Sequence, residues 1–114
     1  MSHTLSVNEL PATVQRYLEL SEGEKSLQAA DLFADDAVVS DEGRLHHGRD
    51  EIRAWMAEAN AAYAYTSTFL GARESDGTIG VTFHLVGDFP GGVVDLEYQF
   101  QLDDEARIKH LHFA

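Results

Sequence analysis

Leu32-Phe33-Ala34-Asp35-Asp36-Ala37-Val38-Val39-Ser40-Asp41 is the stretch whose reading decides the fold. Leu32 and Phe33 finish an amphipathic helix, the adjacent acids Asp35 and Asp36 turn the chain, and Ala37 to Ser40 has the β-branched character of a short strand. That strand delivers Asp41. A carboxylate at the end of an apolar strand is either a solvated loop acid or a base held at the wall of a dry cavity, and the second has a chemistry of its own.

Upstream of this stretch, the helix that ends at Phe33 starts near Glu24, after a Ser21 to Gly23 break, and buries Leu27, Ala30 and Phe33. An earlier helix starts at Asn8, a good cap, with Pro11 in the tolerant first turn. Its Leu10, Val14, Tyr17 and Leu18 make one apolar stripe. Tyr17 is therefore either a core tyrosine with its hydroxyl at the rim or a phenol aimed into a cavity as a hydrogen-bond donor. Residues 1–7 read as a flexible N-terminal arm and residues 8–114 as a single domain.

Downstream, Glu42 to His47 reads as a polar loop, and a third helix begins at Gly48 or Asp50. Ile52, Trp55, Met56 and Ala59 follow the i, i+3, i+4, i+7 spacing of one apolar face, and Asn60 is a suitable end. From there the period switches to alternation. Tyr63 to Glu74 and Thr78 to Val86 flank Asp76-Gly77, a two-residue hairpin signal, and Asp88 to Gly92 is a turn-rich connection. Val93 to Leu102 is the next strand, and Asp103 to Glu105 turns into Arg107 to Phe113.

In the third of these strands Val94, Leu96, Tyr98, Phe100 and Leu102 form an apolar face and Asp95, Glu97, Gln99 and Gln101 a polar one, so Tyr98 points inward. Val81, Phe83 and Leu85 do the same on the strand before it, and His84 points outward. Three N-terminal helices followed by a meander describe an α+β domain with its helices on one face of a curved antiparallel sheet. Such a sheet encloses a conical cavity suited to a small apolar ligand. An open pocket bordered by Tyr17, Asp41, Phe83, Tyr98 and Phe100 is expected.

Composition removes other classes of function. With 20 acidic against 8 basic residues in 114, and a net charge of -12, the chain lacks the basic footprint that nucleic acid or an anionic membrane requires. The absence of cysteine removes disulfides, thiolate nucleophiles and zinc-ribbon sites. Met1 to Leu10 has neither a basic leader nor a long apolar run, so no signal peptide or spanning helix is expected and a cytoplasmic location is.

Val14-Gln15-Arg16-Tyr17, then Leu32-Phe33-Ala34-Asp35-Asp36-Ala37, then an aspartate at Asp41, resemble bacterial ketosteroid isomerase. More broadly they resemble the superfamily that also holds nuclear transport factor 2, polyketide cyclases of the SnoaL type, scytalone dehydratase and limonene epoxide hydrolase. The resemblance spans nearly the whole chain and implies a cystatin-like cone. By it, Asp41 matches the general base that shuttles a proton between two carbons of an enone, and Tyr17 matches the principal oxyanion donor. Tyr98 stands where the isomerase carries a protonated aspartic acid, and it can donate one hydrogen bond. Met56 replaces a supporting tyrosine, and the loop after Asp41 is shorter and carries Glu42 in place of a proline, so the steroid substrate is not carried over. Val14, Trp55, Met56, Val81, Phe83, Leu85, Phe100, Leu111 and Phe113 are the expected substrate-binding lining.

The resemblance also places Leu111 and Phe113 inward and His110 and His112 on the outer face, across which relatives dimerise, so a homodimer is implied. His46 and His47, with His110 and His112, can be read as metal ligands or as the acid-base groups of a dehydratase-like lyase. No carboxylate completes a recognisable ligand spacing, and neither a metal nor another cofactor is expected. Three functions are thus open: an isomerase-like or cyclase-like acid-base enzyme on a small apolar carbonyl compound, a non-catalytic binding domain for such a molecule, and a protein-interaction module.

Overall fold

The alternation in the second half of the chain becomes a meander of four strands, β4 (Tyr65–Ser75), β5 (Thr78–Gly87), β6 (Val93–Leu102) and β7 (Ile108–Phe113), paired antiparallel in sequence order. The Asp76-Gly77 turn forms as expected, with φ of 52° and 80° at its two residues. The architecture is that of a computed structural model, which describes residues 3–21, 26–62 and 65–113. Tyr63, the expected start of the first of these strands, lies outside the described residues.

The first half departs from expectation at the stretch on which it was built. Asp35 and Asp36 do not turn the chain; they lie inside β2 (Phe33–Asp41). The parallel ladder from β2 to β7 runs from Phe33↔Ile108 directly to Val38↔His110, so the residues between bulge out and both acids are exposed. Arg49 secures the bulge: its Nε donates to the Phe33 carbonyl at 2.9 Å, and its guanidinium lies 2.9 Å from the Asp35 carboxylate. The polar loop expected over Glu42 to His47 is a hairpin. Glu42 and Gly43, at φ of 51° and 78°, form a tight turn, and β3 (Arg44–His47) returns antiparallel to β2.

Two α-helices, not three, occur among the described residues: α1 (Ala12–Ser21) and α2 (Gly48–Ala62). Between them Ser26–Leu32 is a 3-10 helix, whose tighter winding suits a short segment that must hand over to β2 at Phe33. The expected start of that helix at Glu24, and most of the break before it, lie outside the described residues. α1 also starts later than Asn8, which sits in a 3-10 turn (Val7–Glu9); the Pro11 carbonyl accepts the first helical bond, from the Gln15 N–H at 3.0 Å. Within the stretch read as an arm, β1 (His3–Leu5) pairs antiparallel with β4.

The seven strands among the described residues form one sheet in the order β1-β4-β5-β6-β7-β2-β3, with β2 and β7 parallel and the other neighbours antiparallel. The core lies between its inner face and the helices. Val14 of α1 and Ile52 of α2 are fully buried with Phe33, Val39, Val81, Phe100, Ile108 and Leu111, each such burial contributing about 1.5–3 kcal/mol. No helix among the described residues is long and apolar enough to cross a membrane.

A second bulge matters for the site. The β4–β5 ladder passes from Gly71↔Thr82 to Phe69↔Phe83, leaving Leu70 as the extra residue, 54% exposed. One inserted residue exchanges the two faces of the strand beyond it. Tyr65, Ser67 and Phe69 are thereby turned to the inner side, in register with Gly87, Leu85 and Phe83.

Candidate functional site on the inner face

Strand alternation fixes where Asp41 goes. Ala37 and Val39 are buried on the inner face, so Asp41, two residues further on, faces the same way at the end of β2 and is half-buried. The helical stripe of α2 brings Trp55 beside it, and the indole N–H donates to Asp41 Oδ2 at 2.9 Å. Among the described residues this is the hydrogen bond that Asp41 makes, and none forms an ion pair with it although Arg44 lies opposite in the β2–β3 ladder. One carboxylate oxygen is thus held and the other left to accept a proton.

From Trp55 a chain of ring contacts crosses the inner face. Trp55 meets Phe113 at 5.5 Å between centroids, Phe113 meets Tyr98 at 4.8 Å, Tyr98 meets Phe83 at 5.2 Å and Phe83 meets Phe69 at 6.0 Å. His46 also lies near Trp55, at 5.9 Å between ring centroids. Tyr17 enters from α1 and packs edge-on against Phe100 at 5.4 Å and Phe33 at 6.0 Å. Its hydroxyl is held well above the ordinary phenol range, first by burial and then by the nearby Tyr98, Tyr65 and Asp41, all of which oppose a negative charge there. Tyr17 is consequently a neutral donor across ordinary pH, and these four polar groups share one electrostatic neighbourhood.

Exposure rises along β6 toward its start: Phe100 is 0% exposed, Tyr98 8% and Val94 41%. Val94 and Tyr65 (40%) are on the helix-facing side of the sheet and still meet solvent, so the inner face is open at this end. Its floor is closed. Val14, Val81, Phe100 and Leu111 expose no surface and act as packing, whereas Trp55, Met56, Leu85 and Tyr98 are nearly buried and Phe83 and Phe113 half-buried. The structure therefore brings together Asp41, Tyr17, Tyr98, Trp55, Phe83 and Phe113, with Val14, Val81, Phe100 and Leu111 behind them.

The outer face has a different character. Here the Ser40 hydroxyl lies 3.0 Å from His110 Nε2, and His84 Nδ1 lies 2.6 Å from Asp95. Glu97 accepts from Gln99 at 2.7 Å and lies 3.7 Å from Arg73. His110 is held below its ordinary pKa by burial and by His112, whose ring is 6.3 Å away. Among the described residues no group of three or more His, Asp and Glu is placed to hold a metal ion.

Sequence reasoning missed two inner-face residues, Tyr65 and Phe69, and the bond from Trp55 to Asp41. A hairpin counted back from Asp76-Gly77 without a bulge puts Tyr65 and Phe69 on the outside; the bulge at Leu70 is what turns them in. The Leu70-Gly71 pair was the available signal, since a glycine within a strand often marks a bulge.

Residues 14–106 match the SnoaL-like domain family. Among solved structures, a provisionally named polyketide cyclase from Sinorhizobium meliloti is 31% identical, with a TM-score of 0.87 over 96% of this chain and 100% of that one. A protein of ketosteroid isomerase-like fold from Catenulispora acidiphila, solved with trimethylamine, is 20% identical with a TM-score of 0.76 over 91% of this chain and 85% of that one. A provisionally named isomerase of the SnoaL-like family from Agrobacterium tumefaciens is 18% identical with a TM-score of 0.73 over 89% of this chain and 92% of that one. The last two likenesses show the fold. No functionally curated protein matches the chain.

Proposed function

This chain belongs to the SnoaL-like domain family, and on that premise we propose that it is an isomerase-like or cyclase-like acid-base enzyme acting on a small apolar carbonyl compound bound against the inner face. The observation that carries the reading is the hydrogen bond from Trp55 Nε1 to Asp41 Oδ2 at 2.9 Å. It orients a carboxylate that has no ion-pair partner among the described residues, within electrostatic range of a buried neutral phenol. The names given to the Sinorhizobium and Agrobacterium proteins support the same class of chemistry.

The proposed step is a proton transfer. The free oxygen of Asp41 takes a proton from the carbon next to the substrate carbonyl, and the C–H electron pair moves toward that carbonyl to give an enolate. Tyr17 O–H donates to the enolate oxygen, with Tyr98 as the second phenol near it. The new carboxylic acid of Asp41 then returns the proton, to the same carbon or to the far end of the conjugated system. Return at the far end is isomerisation. The aromatic strip from Trp55 to Phe69 supplies an apolar wall for the hydrocarbon part.

The test is conversion of 3-cyclohexen-1-one to its conjugated isomer, followed by ultraviolet absorbance. Wild-type protein should accelerate it over buffer, and Asp41→Asn should lower the rate about 10²- to 10⁴-fold. Equal rates for the two proteins would remove the base from the proposal.

A further inference from the structure

His46 stands beside the residue that holds Asp41, and the proposed proton transfer gives it no part. It is the one residue of β3 that is not exposed. Its cross-strand partner is Val39, fully buried on the inner face, so the imidazole lies on the inner side of the sheet while Leu45 and His47 lie on the outer. Asp41, two residues beyond Val39, is then its diagonal neighbour on the same face, about 7–8 Å away. β3 runs straight into α2: Gly48, at φ of 81°, makes the turn, and the His47 N–H donates to Glu51 Oε1 at 3.0 Å. α2 consequently packs against both strands of the hairpin, and on it Trp55 meets two ionisable groups. Its N–H donates to Asp41, and its ring lies 5.9 Å from the His46 ring with the planes 35° apart. That contact is the one interaction of the His46 ring among the described residues, which leave both of its nitrogens without a hydrogen bond. The charged groups around it are Asp41 from β2, Glu51 and Glu58 one turn to either side of Trp55 on α2, and Arg44 on its own strand. Imidazole is the side chain that ordinarily changes charge between about pH 5 and 8. Once charged, this ring is within cation–π range of the indole; it draws electron density from it, so the indole N–H donates more strongly and the Asp41 carboxylate becomes a weaker base.

We propose that His46 is a positioning residue that sets the strength of the base: its ring seats the Trp55 indole against Asp41, and a proton on that ring tightens the hydrogen bond from Trp55 to Asp41 and slows proton removal. This rests on the reading of Asp41 as the base. It makes β3 part of the site, and it ties full activity to the neutral form of His46.

Trp55 is the single tryptophan of the chain, so its emission reports the contact directly. The experiment follows that emission, and kcat for 3-cyclohexen-1-one, from about pH 8 down to about pH 5, the range in which histidine ordinarily titrates. An imidazolium quenches a neighbouring indole. Wild-type emission should therefore fall as pH is lowered, and kcat should fall with it about two- to fivefold, the worth of a part-exposed cation–π contact. In His46→Phe, which keeps a ring against Trp55 but takes no proton, both changes should disappear. In Asp41→Asn the emission change should remain, moved to lower pH by the loss of a neighbouring negative charge. His46→Ala should lower kcat at pH values where His46 is neutral, and His46→Phe should recover part of that loss by restoring the ring. An emission change that is missing from wild-type protein, or survives in His46→Phe, overturns the role of His46. A fall in kcat that persists in His46→Phe after the emission change has gone overturns the positioning role and leaves Asp41 as the base. Turnover that Asp41→Asn leaves unchanged overturns the base and this role with it. Circular dichroism verifies the fold of each variant, and His46→Gln, polar and uncharged, should lack both changes as His46→Phe does.

Discussion

Ser40 and Asp41 are adjacent in β2 and belong to two different surfaces. Ser40 faces outward to His110, and Asp41 faces inward to Trp55. On the outer face the ionisable groups have polar partners: His84 Nδ1 lies 2.6 Å from Asp95, and Arg73 forms an ion pair with Glu97. On the inner face a carboxylate stands among aromatic rings with an indole donor, and a phenol is kept neutral by burial. Paired charges at a surface are worth little and do little chemistry. A lone oriented acid beside buried donors is the arrangement that proton transfer uses.

If the two faces differ in this way, substitutions on them should differ in size and kind. The largest expected effect is on the inner floor: Phe100→Ala removes a fully buried ring touching Tyr17 and should lower unfolding free energy by about 3–5 kcal/mol in denaturant titration. Next, Tyr17→Phe removes the buried donor while keeping the ring, and should reduce kcat for the enone conversion about 10²- to 10³-fold with little change in stability. Trp55→Phe keeps the packing against Phe113 but loses the indole N–H, and turnover should fall about tenfold through a less well-oriented Asp41. On the outer face, His84→Ala breaks an exposed pair with Asp95 and should change stability by about 0.5 kcal/mol or less, with turnover unaltered. A large loss of turnover there would break the division between the faces.

The pH dependence of stability separates the faces by sign. Tyr17 has a raised folded pKa, so the unfolded chain gives up that proton first and stability contributed by the neutral phenol is lost as pH rises beyond the ordinary value of 10.0. His110 has a lowered folded pKa, so the unfolded chain binds that proton first and stability is lost as pH falls below the ordinary 6.5. Thermal melts across pH should show the alkaline arm reduced in Tyr17→Phe and the acid arm reduced in His110→Ala.

What the sequence made legible follows the same physics. The meander, the Asp76-Gly77 turn, the inward Tyr98 and the stripe of α2 were read correctly because each is a local signal: two glycine-permissive dihedrals, a period of two, a period of 3.6. The stretch from Leu32 to Asp41 placed Asp41 correctly at a strand end, but its acids suggested a turn where the ladder to β7 bulges instead. A parallel partner some 70 residues away in sequence, as in Val38↔His110, has no local signature. The Glu42-Gly43 turn was missed since its first residue is not one that usually adopts a positive φ. The link from Trp55 to Asp41 depends on how α2 seats against β2, and Tyr65 depends on a bulge; both are tertiary facts.

The central claim is that Asp41 removes a carbon-bound proton. Deuterium uptake next to the carbonyl of 2-tetralone, a small apolar ketone, measured in D2O by mass spectrometry, reports that step without requiring the product of any particular pathway. Wild-type protein should incorporate deuterium well above the buffer rate, and Asp41→Asn should return it to that rate; identical uptake with wild-type protein and with Asp41→Asn would contradict the account.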